Sequence, residues 1–441
     1  MSDFFQTGAI ATLHRLGKTD LRRLERELEG FNKETPIALI LPCHAKELGT
    51  PALRGIVNEI AQVRYLRQIV VGIDKASRRD WLKARRFFGQ LPQRPMLLWN
   101  DGPRIQRLYE KLREAELEVG PGGKGRNVWT CFGYVLASEQ ARMVALHDCD
   151  IRTYSRELLA RLVYPVAHPS LGFDFCKGYY ARVTTQLNGR VMRLLLTPLL
   201  RALRSILGSQ PFLIYMDTFR YPLAGEFAMD VDLVRRVRIP YDWALEIGML
   251  AEIFRNASPR AICQSELCDN YDHKHQELSP RDPDKGLNKM AIDITRSLLS
   301  RMAAEGIKID AGLLDTLLSA YMRQAEDSLR FYAADAAANG LAFLRHEEGR
   351  AVTTFAHGIH HAAKAFLKDP IWTPLISNWN RVQSALPSFL DELNEAVRLD
   401  NDDRPRATTK RARLGRSSLS AVLVDDQRLR SSGSTKRVDQ D

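Results

Sequence analysis

The sequence has 441 residues, 45% of them hydrophobic and 27% charged, and its six cysteines form no C-x-x-C pair, which predicts a globular protein with a large core and reduced thiols. More than half of the net charge of +11 lies in residues 404–441, which hold ten Lys or Arg against four Asp, so the basic balance does not indicate a nucleic-acid-binding protein. The N-terminal segment lacks a secretory signal and no apolar run reaches the roughly 18 to 20 residues of a membrane span, so we expect a cytoplasmic protein without a membrane span.

Strands and helices alternate over the first third of the chain. Residues 1–33 have the amphipathic spacing of a helix. The apolar run at 37–41 is typical of a buried parallel strand, and the runs at 67–74 and 95–101 predict two more, with helical spacing between them. A Gly-rich loop, GPGGKGRN, opens another helix, and RMVALHDCD predicts a strand that continues to Asp150. This alternation predicts a right-handed, mostly parallel α/β sheet.

The character of the sequence changes near Gly286. Long Ala/Leu-rich helical periodicity continues to about Val397, and the segment after Asp400 is rich in Arg, Ser and Asp, which predicts disorder. We therefore expect an N-terminal helical segment, an α/β domain, a helical C-terminal extension and a basic tail, at residues 1–34, 35–285, 286–400 and 401–441.

Two carboxylates, Asp148 and Asp150, end the predicted fourth strand of the sheet. Because side chains alternate along an extended strand, both should face the same way, where they repel unless a cation lies between them. Oxygen ligands of this kind suit Mg²⁺ or Mn²⁺. The D-x-D pattern is short, and two solvated loop acids are the alternative. Asp74 ends the second predicted strand, so it should lie at the same carboxyl edge, where such sheets bind ligands.

The Gly-rich loop before the next helix contains Lys124. Its glycines let backbone N–H groups approach an anion, and the lysine offers a point charge to a phosphate. The loop is not a Walker A motif, since Gly125 follows the lysine. A flexible connecting loop is the alternative.

Three later segments carry further polar candidates. Arg190 follows Asn188-Gly189 at a predicted turn into a helix, a position suited to an anion. Glu246 lies in an otherwise apolar helix start, where a buried salt bridge is the alternative to a functional role. His273 and His275 share one face if their segment is extended, and neutral imidazoles are common metal ligands. A surface loop is the alternative for the histidines.

Taken in order, several segments resemble the retaining GT-A glycosyltransferases that make glucosyl-3-phosphoglycerate: LILPCHAKEL, PGGKGRNVW, HDCDI, FCKGYYARV, NGRVMRLLLTPLLRAL, YPLAGEFAM, WALEIGMLAEIF and DHKHQ. The resemblance covers about residues 35–278. It implies a Rossmann-like GT-A domain that transfers glucose from UDP- or GDP-glucose to the 2-hydroxyl of 3-phosphoglycerate, with Mg²⁺ or Mn²⁺ as cofactor. It also implies a homodimer, and the long apolar helices agree with one.

The resemblance further implies a role for each candidate residue. The metal ligands are Asp150, His273 and Asp148; the donor-binding residues are Pro42, Asp74, Lys124 and Asp148; the acceptor-binding residues are Gly189, Arg190 and His275; the catalytic residues are Glu246 and Asp150.

The sequence departs from the family pattern at positions that bear on substrate choice. Ala45 and Lys46 replace the Asn-Glu of the nucleotide-binding segment, Met192 replaces a threonine of the acceptor-phosphate motif, and His275 replaces an asparagine. A related transferase that uses D-glycerate or a mannose donor is therefore the nearest alternative. A non-catalytic protein that binds sugar nucleotides is the alternative from a different class.

Overall fold

The computed structural model describes residue 6 and residues 8–274, 276–370 and 374–402. Among these residues, the strands are β1 (Ala11–Leu13), β2 (Ile37–His44), β3 (Leu66–Asp74), β4 (Met96–Trp99), β5 (Met143–Leu146), β6 (Phe175–Tyr180), β7 (Phe227–Asp230), β8 (Ile239–Pro240), β9 (Ile262–Cys268) and β10 (Leu375–Ile376). The α-helices are α1 (Leu21–Phe31), α2 (Pro51–Ile60), α3 (Arg78–Phe88), α4 (Pro103–Glu114), α5 (Lys124–Ser138), α6 (Arg156–Ala167), α7 (Thr197–Leu207), α8 (Pro211–Thr218), α9 (Val231–Arg236), α10 (Leu245–Asn256), α11 (Gly286–Ala304), α12 (Ala311–Ala338), α13 (Arg345–Lys368), α14 (Trp379–Ala385) and α15 (Phe389–Asp402). A π-helical turn, Val191–Leu196, directly precedes α7.

Eight of the described strands form one sheet, in the spatial order β1-β9-β6-β7-β5-β2-β3-β4. β7 runs antiparallel to both of its neighbours, and every other neighbouring pair in this sheet is parallel. β2 lies between β3 and β5, and its residues from Ile37 to Leu41 are fully buried, which explains their continuous apolar character. The predicted mostly parallel α/β sheet is confirmed.

The N-terminal segment differs from the helix predicted over residues 1–33. α1 is present and begins after Asp20, whose carboxylate accepts a hydrogen bond from the backbone N–H of Arg23. Ala11–Leu13 instead forms the edge strand β1, parallel to β9. A three-residue strand is stabilised by the strand with which it pairs, so its own sequence carries no pattern long enough to predict it.

β5 ends earlier than its sequence predicts. Its pairing with β2 and β7 stops at Leu146, and Asp148 and Asp150 follow in a loop and turn. The prediction that strand alternation points both carboxylates the same way is therefore wrong, because neither residue lies in a strand. Contacts of the loop, rather than the pleat of the sheet, set their positions.

The predicted helical character of the C-terminal segment is confirmed in α11 to α15. α15 continues to Asp402, so it includes two residues that the predicted division assigned to the tail. The described residues up to Asp402 form one compact unit. Residues 403–441, for which disorder was predicted, lie outside the described part of the chain. The domain boundaries at residues 34 and 285 stay predictions.

The last two helices support the sheet and α5. The side chain of Asn401 accepts from the N–H of Leu97 at 3.2 Å and donates to its carbonyl at 2.8 Å, so α15 satisfies backbone groups of the edge strand β4. Trp379 stacks on Trp129 of α5, with ring centroids 4.1 Å apart and planes 16° from parallel. These contacts hold α5, which begins at Lys124, in place.

All six cysteines are free thiols, five of them buried and Cys268 partly exposed. No helix among the described residues has the length and apolar character needed to cross a bilayer. The cytoplasmic location stays a prediction.

Replacing Trp379 with Ala should lower the free energy of unfolding by about 3–5 kcal/mol, the range for truncating a buried aromatic side chain. The side chain is fully buried, and its loss leaves a cavity beside Trp129. Urea unfolding followed by circular dichroism measures the change. Phe331→Ala is the control, because Phe331 is 51% exposed on α12. Equal losses in the two variants would contradict the packing described for Trp379.

Candidate active site

The carboxyl edge of the sheet carries a lysine between two carboxylates. Lys124 opens α5, and its Nζ lies 2.8 Å from Asp148 Oδ1 and 3.0 Å from Oδ2. The same Nζ donates to Glu246 Oε1, 3.2 Å away in the first turn of α10. Burial opposes the charge, but Asp148 and Glu246 outweigh burial and raise the pKa of Lys124 above its usual range. The salt bridge considered as the alternative for Glu246 is thus present, and its partner is another predicted site residue.

This ion-pair cluster depends on the close approach of Gly225. A Cβ atom at this position would lie 2.4 Å from Asp148 Oδ2 and 3.3 Å from Lys124 Nζ. The first of these distances is too short for carbon and oxygen, so any larger residue would push Asp148 away from the ammonium. Gly225 therefore shapes the site although it has no functional group.

A second polar pair lies near the cluster. His273 Nδ1 is 3.8 Å from Asp150 Oδ2, and the segments that carry them are joined by a backbone hydrogen bond of 2.8 Å from the N–H of Arg152 to the carbonyl of Asp272. Burial raises the pKa of Asp150, but the His273 contact and the charge of Lys124 outweigh burial and lower it overall. The site therefore has a carboxylate, that of Asp150, beside the ring of His273.

The Asp150–His273 pair has the chemistry of a site for a hard divalent cation. Mg²⁺ holds its ligands at roughly 2.1 Å and takes few of them from the protein when phosphates and water supply the others, so two atoms 3.8 Å apart can share one ion. Within the described ranges, no three or more His, Cys, Asp or Glu side chains are grouped to hold a metal, and both Asp148 oxygens contact Lys124. The metal role of Asp148 stays a prediction.

A fully buried carboxylate, absent from the predicted site residues, supports this edge of the sheet. Glu226 accepts hydrogen bonds from the hydroxyls of Tyr180 at 2.7 Å and Tyr271 at 2.6 Å, and the two rings stack with centroids 3.8 Å apart. Burial and the Asp148 charge raise the pKa of Glu226, although both hydroxyls oppose the shift. Tyr271 also packs edge-on against His273. The sequence signal for Glu226 was an acid directly before an apolar strand.

Two predicted donor-binding residues lie on neighbouring strands. Asp74 ends β3, where burial and the charge of Asp101 raise its pKa. Pro42 lies in β2, opposite Gly72 of β3. Since β5, β2 and β3 are parallel neighbours, Pro42 and Asp74 lie towards the same carboxyl edge as Asp148, one and two strands away from it.

Two of the three predicted acceptor-binding residues, Gly189 and Arg190, lie in residues 182–197, the acceptor segment. Gly189 has φ of +73°, a conformation that favours glycine. Arg190 follows it and opens the π-helical turn before α7, so the predicted turn into a helix is confirmed. His275, the third predicted acceptor residue, lies outside the described residues.

Arg190 contacts two carboxylates of α13. Its Nε donates to Glu348 Oε1 at 2.7 Å and its Nη2 to Glu347 Oε2 at 3.4 Å. Sequence reasoning missed both glutamates, because 158 positions separate Glu348 from Arg190 and no local pattern connects them. The helical C-terminal segment therefore contributes side chains next to a predicted substrate-binding residue.

Comparison with curated proteins identifies full-length relatives, although no protein-family model matches the chain. Glucosyl-3-phosphoglycerate synthase from Persephonella marina is 45% identical over 403 residues, which are 91% of this chain and 100% of that protein. The protein of the same name from Methanococcoides burtonii is 38% identical over 404 residues, 90% of this chain and 98% of that protein.

Solved structures of a third protein of this name have the same fold. Crystal structures of glucosyl-3-phosphoglycerate synthase from Mycobacterium tuberculosis, one with Mg²⁺ and UDP and one with Mn²⁺, UDP-glucose and phosphoglyceric acid, each have a TM-score of 0.50, 24% identity and coverage of 69% of this chain and 89% of that chain. The fold is thus that of a GT-A glycosyltransferase. At 45% identity over 91% of its length, the chain belongs to the glucosyl-3-phosphoglycerate synthase family, and the resemblance seen in the sequence is confirmed.

Lys177 of β6 is a buried lysine near the carboxylates of Glu246 and Glu226. Its Nζ donates to the carbonyl of Ala224 at 2.5 Å and lies 5.7 Å from the centroid of the Phe227 ring. Burial lowers the pKa of Lys177 to about 8, although Glu246 and Glu226 favour the charged form.

The lowered pKa of Lys177 should make stability depend on pH. Between about pH 8 and pH 10.5 the unfolded chain keeps the lysine proton and the folded chain does not, so the free energy of unfolding rises with pH. Lys177→Met should remove roughly 1–3 kcal/mol of that rise, measured by urea unfolding at both ends of the window. Lys33→Met, at an exposed position, is the control. A rise of wild-type size in Lys177→Met would contradict the assigned pKa.

Proposed function

We propose that the chain transfers glucose from UDP-glucose to the 2-hydroxyl of 3-phosphoglycerate, with retention at the anomeric carbon. This proposal is supported above all by one observation, that five predicted site residues lie close together at one edge of a GT-A sheet. They are Lys124, Asp148, Glu246, Asp150 and His273. The 45% identity to the Persephonella marina synthase over that protein's whole length supports the reaction. The Mycobacterium tuberculosis structure with UDP-glucose and phosphoglyceric acid supports the choice of donor and acceptor.

Asp150 and His273 are the proposed ligands of a Mg²⁺ or Mn²⁺ ion. Their side chains lie within reach of one ion, and the donor diphosphate has the oxygens that such an ion needs to complete its coordination. When bound, the ion withdraws charge from the leaving diphosphate.

Lys124 is the proposed partner of the same diphosphate. Its ammonium has three N–H donors, and hydrogen bonds to Asp148 Oδ2 and Glu246 Oε1 take two of them, which leaves one for a phosphate oxygen. As the bond between glucose C1 and UDP breaks, its electron pair goes to the diphosphate. Lys124 stabilises the charge that develops there.

The acceptor attacks from the face that the diphosphate leaves. Its 2-hydroxyl oxygen forms the new bond to C1, and the hydroxyl proton goes to a β-phosphate oxygen of the departing UDP. Retention then needs no nucleophile from the protein. Glu246 is already paired with Lys124 through one oxygen, and its second oxygen can accept a hydrogen bond from a sugar or acceptor hydroxyl. Its proposed role is therefore to orient the substrate.

Several finer predictions from the sequence belong to this proposal. They are a cytoplasmic location, a homodimeric assembly and no nucleic-acid partner. GDP-glucose as donor, mannose as the sugar and D-glycerate as acceptor are the alternatives, the last because Met192 has no hydroxyl for a phosphate pocket.

Purified protein with Mg²⁺, UDP-glucose and 3-phosphoglycerate should release UDP and form glucosyl-3-phosphoglycerate with the donor's anomeric configuration, identified by NMR. Asp150→Asn should lower kcat/KM roughly 100-fold or more, because it removes negative charge from the proposed metal site beside the diphosphate. Asp315→Asn, at an exposed position of α12, should match the wild type.

The same assay with GDP-glucose, GDP-mannose and D-glycerate separates the alternatives. Transfer to D-glycerate in place of 3-phosphoglycerate would replace the proposed acceptor. Tight nucleotide binding with no transfer to either acceptor would contradict the proposed reaction.

A further inference from the structure

The helical C-terminal segment determines the conformation of the acceptor segment. Pro198 has no N–H to donate to the carbonyl of Leu194, and the hydroxyl of Tyr321 in α12 donates to that carbonyl instead, at 2.7 Å. The N–H of Ala342, between α12 and α13, donates to the carbonyl of Thr185 at 2.9 Å. The acceptor segment therefore depends on residues far along the chain.

Glu348 of α13 joins two arginines of the acceptor segment. Its Oε1 accepts from Arg190 Nε at 2.7 Å and its Oε2 from Arg193 Nη2 at 2.9 Å. Arg193 also donates to the carbonyls of Leu187 and Asn188, both at 2.9 Å. The Glu348 side chain is 7% exposed and that of Arg193 is 9% exposed, so water competes little with these charge-assisted bonds. One buried carboxylate thus fixes the Arg190 guanidinium and the turn before it.

Glu347, the adjacent residue, makes a longer and more exposed contact with the same guanidinium. Its side chain is 53% exposed, and its Oε2 lies 3.4 Å from Arg190 Nη2, a long contact that solvent weakens. Glu348 accepts its hydrogen bond from the Nε of Arg190 and not from the two terminal nitrogens of that guanidinium. These two nitrogens form the fork that binds a phosphate in a bidentate pair. A phosphate on this fork would compete with Glu347 for Nη2.

We propose that these two glutamates have opposite effects on acceptor binding: Glu348 positions Arg190 for the phosphate of 3-phosphoglycerate, and Glu347 competes with that phosphate. The inference rests on the proposed function, including the contact between Arg190 and the acceptor phosphate. Glu347 is then a carboxylate that the acceptor displaces as it binds. The helical C-terminal segment sets acceptor affinity through this pair.

Glu347→Gln tests the competing charge while it keeps the size of the side chain. The KM for 3-phosphoglycerate should fall roughly 2- to 5-fold, the size expected for an exposed charge pair, and the KM for UDP-glucose should not change. Steady-state kinetics measure both constants. Glu326→Gln, exposed on α12, should change neither. An equal or higher KM for 3-phosphoglycerate in Glu347→Gln overturns the inference.

Glu348→Gln tests the positioning carboxylate. The KM for 3-phosphoglycerate should rise about tenfold because two guanidinium groups lose a charge-assisted bond, with a smaller change in kcat and in the KM for UDP-glucose. Glu348→Asp, which restores the charge, should recover part of the affinity. A KM for 3-phosphoglycerate that stays equal or falls in Glu348→Gln overturns the positioning role.

Two controls keep the outcomes separate. Melting temperatures show whether Glu348→Gln is folded, and if it is not, Glu347→Gln and Glu348→Asp decide the question. Wild-type protein that does not glucosylate 3-phosphoglycerate defeats the proposed function and this inference together. Wild-type transfer with no opposite shifts in the two variants defeats only the roles of the glutamates.

Discussion

An ammonium held between two carboxylates organises the carboxyl edge of the sheet. Lys124 joins the start of α5 to Asp148 after β5 and to Glu246 in the first turn of α10. Without this cation, two partly buried acids would repel each other across the edge. Because the ammonium keeps a third donor, the interaction that orders the edge also prepares it for a diphosphate. Gly225 completes the arrangement by leaving space for the Asp148 carboxylate.

The C-terminal helices are part of this arrangement. α14 and α15 support α5 and the edge strand β4, through Trp379 and Asn401. α12 and α13 hold the acceptor segment, through Tyr321 and Glu348. α14 and α15 thus support residues assigned to donor binding, whereas α12 and α13 support residues assigned to acceptor binding.

The features that could be predicted from the sequence are those that depend on local hydrophobic periodicity and on strand direction. The buried run of β2 is apolar because both of its faces are covered, and parallel strands place Asp74 and Asp148 at one edge. Features that depend on distant contacts could not be predicted. β1 exists because β9 pairs with it, and Glu348 meets Arg190 across 158 positions. The geometry predicted for Asp148 and Asp150 is wrong because β5 stops before them, yet the loop still brings one to Lys124 and the other to His273.

Calorimetric titration of UDP in the presence of Mg²⁺, with the wild type and with Lys124→Met, tests the shared role of the ammonium most directly. Methionine keeps much of the length of the lysine side chain and removes the charge between Asp148 and Glu246. UDP affinity should fall roughly 30-fold or more, because the two carboxylates then face the diphosphate without their cation. Unchanged UDP affinity in a folded Lys124→Met protein would contradict the proposed link between the ion-pair cluster and the donor.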